Sequence, residues 1–124
     1  MKKALIGMLA AGILAGGAAY AAEGKKGEGK AQTMEGEVLD MACYMGHEAK
    51  GKDHTKCAKK CALAGSPIGL LTGDGSLYLL VDDHGKKKAF DDAKNLAGAH
   101  AKITGQVAKR GSLAAIIVEK AEKK

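Results

Sequence analysis

The stretch 43–61 (CYMGHEAKGKDHTKCAKKC) carries every cysteine of the chain and two of its four histidines, His47 and His54. Any fold the chain adopts must therefore keep its thiols close together, and little else is available to hold a small core. Only 3% of the 124 residues are aromatic: there is no tryptophan, one phenylalanine (Phe90) and three tyrosines. A core of Leu, Ile, Val, Ala and Met drawn from about 90 residues buries limited area, so a metal or disulfide staple is physically attractive at this size.

The compartment decides which staple is open to it. The chain begins MKKALIGMLAAGILAGGAAYAAEGKKGEGK. Lys2 and Lys3 form a short positive region, 4–17 is an apolar run too short for a good membrane span, and Ala19-Tyr20-Ala21 is an A-x-A cleavage site. Residues 1–21 are read as a cleaved secretory signal peptide, which implies a periplasmic or secreted protein with no membrane attachment after cleavage. An uncleaved anchor is disfavoured by the Gly and Ala content of the run. Leu14-Ala15-Gly16-Gly17 has glycine where a lipidation signal needs cysteine. Loss of Lys2 and Lys3 lowers the formal net charge from +6 to +4, a mild basicity. Residues 22–32 then read as a flexible leader, 33–120 as a single domain and 121–124 as a basic tail.

Within the domain, 33–39 (TMEGEVL) alternates as a first strand. Asp53 is a candidate N-cap for a helix over 54–64, which Gly65 ends and Pro67 prevents from continuing. Strand signals follow at 68–72, at 76–81 after the Gly73-Asp74-Gly75 turn, and at 86–90 after Asp82-Asp83-His84-Gly85. Asp91 or Asp92 is placed to cap a short helix over 93–97, closed by Gly98. The clearest strands are 99–109 and 112–119, joined at Arg110-Gly111, with Gly105 marking a bulge or sharp bend. The pattern is a mainly β fold with short helices: a small five-stranded OB-like barrel with one Cys-bearing helix.

Asp40, Cys43 and Tyr44, followed by His54, Cys57, Ala58 and Cys61, and then Gly65 and Pro67, form a D-x-x-C-Y … H-x-x-C-A-x-x-C … G-x-P pattern. That pattern resembles an uncharacterised group of small exported bacterial OB-fold-like proteins, over about residues 33–119. The order AGAHAKITGQVAKRGSLAAIIVE resembles their closing hairpin. The resemblance implies fold and export and assigns no activity.

The chemistry rests on spacing. On a helix from His54, the steps to Cys57 (three), Cys57 to Cys61 (four) and His54 to Cys61 (seven) place all three side chains on one face. Upstream, Met41, Cys43, Met45 and His47 share one side if extended, whereas Cys43 and His47 share a face if helical. Either conformation lets Cys43 meet the helical trio after a turn at 46–51. A Cys3His set suits structural zinc, and thiolates with imidazole and thioether suit copper(I). The spacing C-x13-C-x3-C is looser than a zinc-finger pattern. A C-x3-C pair with a separate histidine is similar to the ligand set of exported copper metallochaperones, although those proteins are larger and thioredoxin-like and their proline-rich motif is absent here. The reading is an exported binder of a soft metal, copper(I) ahead of zinc, acting as carrier, buffer or sensor with a metal donor or acceptor protein as partner. Its ligands are Cys43, Cys57, Cys61 and His54 or His47, with Met41, Met45 and Asp40 in support.

Competing readings attach to the same residues. The second reading is a disulfide-stapled protein-interaction module whose barrel surface contacts a partner: in an oxidising compartment Cys43 bridged to Cys57 or Cys61 would stabilise by about 3 kcal/mol, and the odd third thiol would remain free or pair between molecules. A disulfide between Cys57 and Cys61 fits regular helix geometry poorly. A thiol-redox protein would need a thiol of depressed pKa, for which a helix N-terminus and Lys56, Lys59 and Lys60 are favourable neighbours. Met41 and Met45 also suit core packing, His47 beside Glu48 also reads as solvated, and Asp40 either caps the Cys43 segment or accepts a hydrogen bond from a ligating imidazole. His84, in a turn, and His100, at a strand start, are read as non-ligands. Nucleic-acid binding is disfavoured because stacking platforms are lacking. Haem attachment through C-x-x-C-H and a Gly-x-Ser-x-Gly hydrolase elbow are both absent from the sequence.

Overall fold

A computed structural model of the chain describes residues 29–124. The stretch read as signal peptide, and most of that read as leader, lie outside the described residues. Five strands, β1 (Ala31–Asp40), β2 (Ile68–Thr72), β3 (Leu77–Asp82), β4 (His100–Arg110) and β5 (Leu113–Lys123), close into a barrel in the order β1-β2-β3-β5-β4. Neighbours are antiparallel except β3 and β5, which run parallel in the register Leu79↔Ala115 to Asp82↔Val118. A parallel pair needs a crossover, and here α3 (Lys87–Asn95) and β4 supply it. This is the small five-stranded OB-like barrel that the strand pattern predicts.

Closure requires strands to bend, and glycine sits where backbones come too close for a side chain. The register of β4 against β5 shifts between Thr104 and Gly105. A Cβ at Gly105 would lie 2.1 Å from the Ile117 carbonyl oxygen, and one at Gly36 would lie 2.2 Å from that of Leu71. The barrel interior is aliphatic: Val38, Ile68, Leu70, Leu80, Ile103, Ile116 and Val118 are buried together with Ala58 and Ala62 of α2 (Thr55–Leu63) and Ala93 of α3. Small alanines on the helices let their backbones sit close to the barrel, which offsets the scarcity of aromatic volume.

Several boundaries differ from the sequence reading, each for an identifiable reason. Residues 87–90, read as strand, are the first turn of α3, so the helix expected over 93–97 begins six residues earlier. Ala89, Phe90, Ala93 and Ala97 recur on one face and pack on the core. Lys86 at the N-cap makes no side-chain capping bond, so the usual start signal is missing. Asp91 and Asp92 pair with Lys94 and Lys88 instead of capping. Asp53 likewise does not cap α2: it lies in a single 3-10 turn, Lys52–His54, that precedes the helix. β1 starts two residues inside the stretch read as leader. β5 runs through the stretch read as tail, with Lys123 paired to Ala101. No described helix is long and apolar enough to cross a membrane.

Candidate metal centre

The Cys/His stretch occupies the connection between β1 and β2, where α1 (Met41–His47) and α2 stand outside the barrel wall. Three ties hold it there. The first is Asp40, the last residue of β1 and the N-cap of α1. Its Oδ1 accepts from the Ala42 amide at 3.2 Å and from the Ser66 hydroxyl, while the Met41 amide donates to Pro67 O at 2.9 Å. This clamps the start of α1 to the end of α2, and so brings Cys43 towards Cys61. The second is the buried Glu37 carboxylate, which accepts from the Gly51 amide at 2.6 Å and draws the α1–α2 loop onto β1. In the third, the Thr55 hydroxyl donates to Gly98 O at 2.9 Å and seats the first turn of α2 against the turn before β4.

Held this way, ligand atoms of Cys43, His54 and Cys57 lie within 4.8 Å of one another, and so do those of Asp40, Cys43 and Cys61. Cys43 belongs to both groups. Cys57 is exposed, Cys43, Cys61 and His54 are half-buried, and Asp40 is buried. All three cysteines are free thiols. Among the described residues, two buried side-chain atoms have no hydrogen-bond partner, Asp40 Oδ2 and His54 Nε2. Both belong to this cluster.

The remaining candidates lie elsewhere. The 41–47 stretch is helical, yet His47 is its exposed last residue and belongs to neither group, since Glu48 takes a left-handed conformation and turns the chain away. Met45 is 70% exposed. Met41 packs its thioether over Gly69 of β2, where a Cβ would come within 2.4 Å of the sulfur, so the packing role is the one it fills. His84 is exposed in the turn before α3, and His100 lines a separate open cleft of about 710 Å³ with Glu35, Tyr44 and Lys50. Asp40 does cap α1. Its second oxygen, buried and unpartnered in the thiol cluster, is a feature no capping signal reveals.

Electrostatics sets the protonation of this cluster. The Asp40 carboxylate beside the Cys43 thiol, with burial and the neighbouring thiols adding to it, pushes Cys43 up to about 12. Burial, the Cys57 thiol and the Asp40 carboxylate push Cys61 up as well. Burial also acts to raise Asp40, but the nearby Cys43 thiol and amide and the hydrogen bonds from the Ser66 hydroxyl and the Ala42 amide outweigh it and hold its carboxyl below the ordinary value. The signs are opposite for stability. The Cys43 contribution is full below its unfolded value of 9.0 and is lost as pH rises towards about 12. That of Asp40 is present above 3.8 and is lost as pH falls through its lowered value. Asp40→Asn removes the charge that keeps the Cys43 proton in place. Metal-free Cys43 in that variant is expected to alkylate with iodoacetamide about tenfold faster near pH 8, read by peptide mass spectrometry. An unchanged rate would show that Asp40 does not hold the proton.

No protein-family model matches the chain, and no match was found among curated proteins or solved structures.

Proposed function

We propose that this protein is an exported carrier or buffer of a soft metal ion, copper(I) ahead of zinc, held by Cys43, His54 and Cys57 with Cys61 and Asp40 adjoining. The observation that carries the reading is the pair of orphaned atoms. Buried polar groups are almost always hydrogen-bonded, and an exception calls for an explanation. Asp40 Oδ2 and His54 Nε2 are both exceptions, and both stand among three free thiols. A cation held in either group can accept the lone pair of the orphaned atom belonging to that group and so remove its desolvation cost. Sulfur and imidazole donors select for a soft or borderline ion.

Copper(I) is favoured over zinc by the shape of the donor set. A structural zinc site is a closed set of four ligands, whereas these donors form two overlapping groups of three with an exposed thiol at one edge. An open, exposed edge suits an ion that is passed on. Export, and with it a periplasmic or secreted location, rests on reading residues 1–21 as a signal peptide.

The test is the protein purified from the periplasm without reductant, assayed for bound metal and free thiol on one sample. About one equivalent of copper or zinc, with thiols appearing only on chelation, supports the reading. No metal together with a single free thiol would make the cluster a disulfide staple and overturn it.

A further inference from the structure

The lysines are not distributed evenly in their company. Lys86, Lys88, Lys94, Lys102, Lys120 and Lys124 each pair with a carboxylate at 3.5 Å or less. Among the described residues, Lys30, Lys87, Lys109 and Lys123 make no ion pair but are scattered along the chain, whereas Lys50, Lys52, Lys56, Lys59 and Lys60, equally without one, are all exposed within eleven residues of sequence. The same loop and helix carry two carboxylates, Glu48 and Asp53, leaving a local excess of positive charge. Lys60, three residues on, neighbours the exposed Cys57 thiol on the helix surface, and Lys56, four residues before Lys60, lies beside Lys60 on that same side. The α2 core face, Ala58 and Ala62, is turned the other way.

A cluster built to attract free cations would be ringed by carboxylates. Here the charge outside the donors has the opposite sign, and it repels a free metal ion at distances up to about one Debye length, roughly 8–10 Å. Something anionic must bring the ion in or take it out. We infer that the unpaired lysines around Cys57, with Lys56 and Lys60 at their centre, are the docking surface for an acidic protein that exchanges the soft metal at Cys57. This rests on the soft-metal reading and adds to it the chemistry of the partner. A lipid surface has matching charge but no use for a thiol at the centre of the patch. In the exchange the copper stays in the +1 state: the Cys57 sulfur forms a bond to copper, a partner thiolate gives one up, and the Cys57 proton passes to that leaving thiolate.

The probes are two synthetic peptides that share a Cys-x-x-Cys pair loaded with copper(I), one with Asp/Glu-rich flanks and one with Lys-rich flanks. Transfer to the metal-free protein is followed by stopped flow under anaerobic conditions. Electrostatic steering raises association rates by about 10 to 1,000-fold. The acidic peptide is therefore expected to transfer at least about tenfold faster at low ionic strength, with the gap closing at about 0.5 M salt. Lys56→Glu with Lys60→Glu is expected to reverse the preference while leaving melting temperature and copper(I) affinity, measured by competition with a chromogenic chelator, unchanged. Equal rates for the two peptides on a protein that does hold copper would overturn the inference alone. No copper held against the chelator would overturn the soft-metal reading and the inference with it. Occlusion of Cys57 by anionic phospholipid vesicles, with no preference between peptides, would assign the patch to a membrane surface instead.

Discussion

Cys43→Ser is expected to lower soft-metal affinity more than any other single substitution in the chain. Cys43 is the one residue common to both donor groups, so its loss leaves neither intact, whereas Cys57→Ser spoils only the first and Cys61→Ser only the second. An apparent binding free energy of about 10–16 kcal/mol shared over the four soft donors Cys43, His54, Cys57 and Cys61 is about 2.5–4 kcal/mol for each, or about two to three orders of magnitude in affinity. Cys57→Ser, Cys61→Ser and His54→Ala are therefore expected to weaken binding by about a hundredfold, and Cys43→Ser by about a thousandfold or more. His47→Ala and His84→Ala, at exposed positions outside both groups, are expected to stay within about twofold of wild type. Anaerobic competition against a copper(I) chelator gives the affinities, and melting of the metal-free variants shows whether each still folds. Equal affinity for wild type and Cys43→Ser, in folded proteins, would remove the cluster from consideration as a metal site.

The contrast between His54 and His47 also marks how far sequence goes. Both histidines sit at helical spacing from a cysteine, His47 four residues after Cys43 and His54 three before Cys57. Periodicity says which residues share a face, but not which face a neighbour covers. That is settled by the Asp40–Ser66 and Glu37–Gly51 contacts, which fold α2 back onto α1 and leave the end of α1 in solvent. Neither contact has a sequence signature. The gathering of every thiol in one stretch is legible, and so is the one-face spacing on α2. The orphaned oxygen of Asp40 is not, because a residue that already answers as an N-cap gives no hint that its second oxygen is buried without a partner.

The barrel itself is legible for a different reason. Turn chemistry at Gly73-Asp74-Gly75 and Arg110-Gly111, alternation in β4 and β5, and a lone glycine at the register shift all act locally, so the five barrel strands and a helix before the final hairpin follow from the sequence. The error at 86–90 arises where local signals conflict. Three successive lysines before Ala89 and Phe90 look like the solvent-facing start of a strand, and no capping residue announces a helix. Packing of Ala89, Phe90, Ala93 and Ala97 onto the barrel decides the matter, and that is a tertiary term.

Fold and site meet at Gly98, and the second large effect is expected there. Gly98 has φ +80°, and a Cβ built on it would lie 2.4 Å from Thr55 Cα and 3.0 Å from Thr55 O. Its own amide donates to Val38 O at 2.7 Å and its carbonyl accepts from the Thr55 hydroxyl, so the backbone is fixed on both sides. Gly98→Ala therefore combines a strained left-handed alanine with a clash against backbone, and is expected to cost about 3 kcal/mol or more. For a domain of this size that is a fall in melting temperature of about 10–20 °C. The relief open to the chain is to move Thr55 and with it the adjacent His54, so copper(I) affinity should fall alongside stability although no ligand has been changed. Gly46→Ala is the matched control. Gly46 lies in α1 with nothing within 4 Å of a Cβ, and alanine there is expected to be neutral or to stabilise by up to about 1 kcal/mol. A Gly98→Ala protein that melts with wild type and binds copper(I) as tightly would mean that the α2 start is not seated on this turn, and that the position of His54 is set by something else.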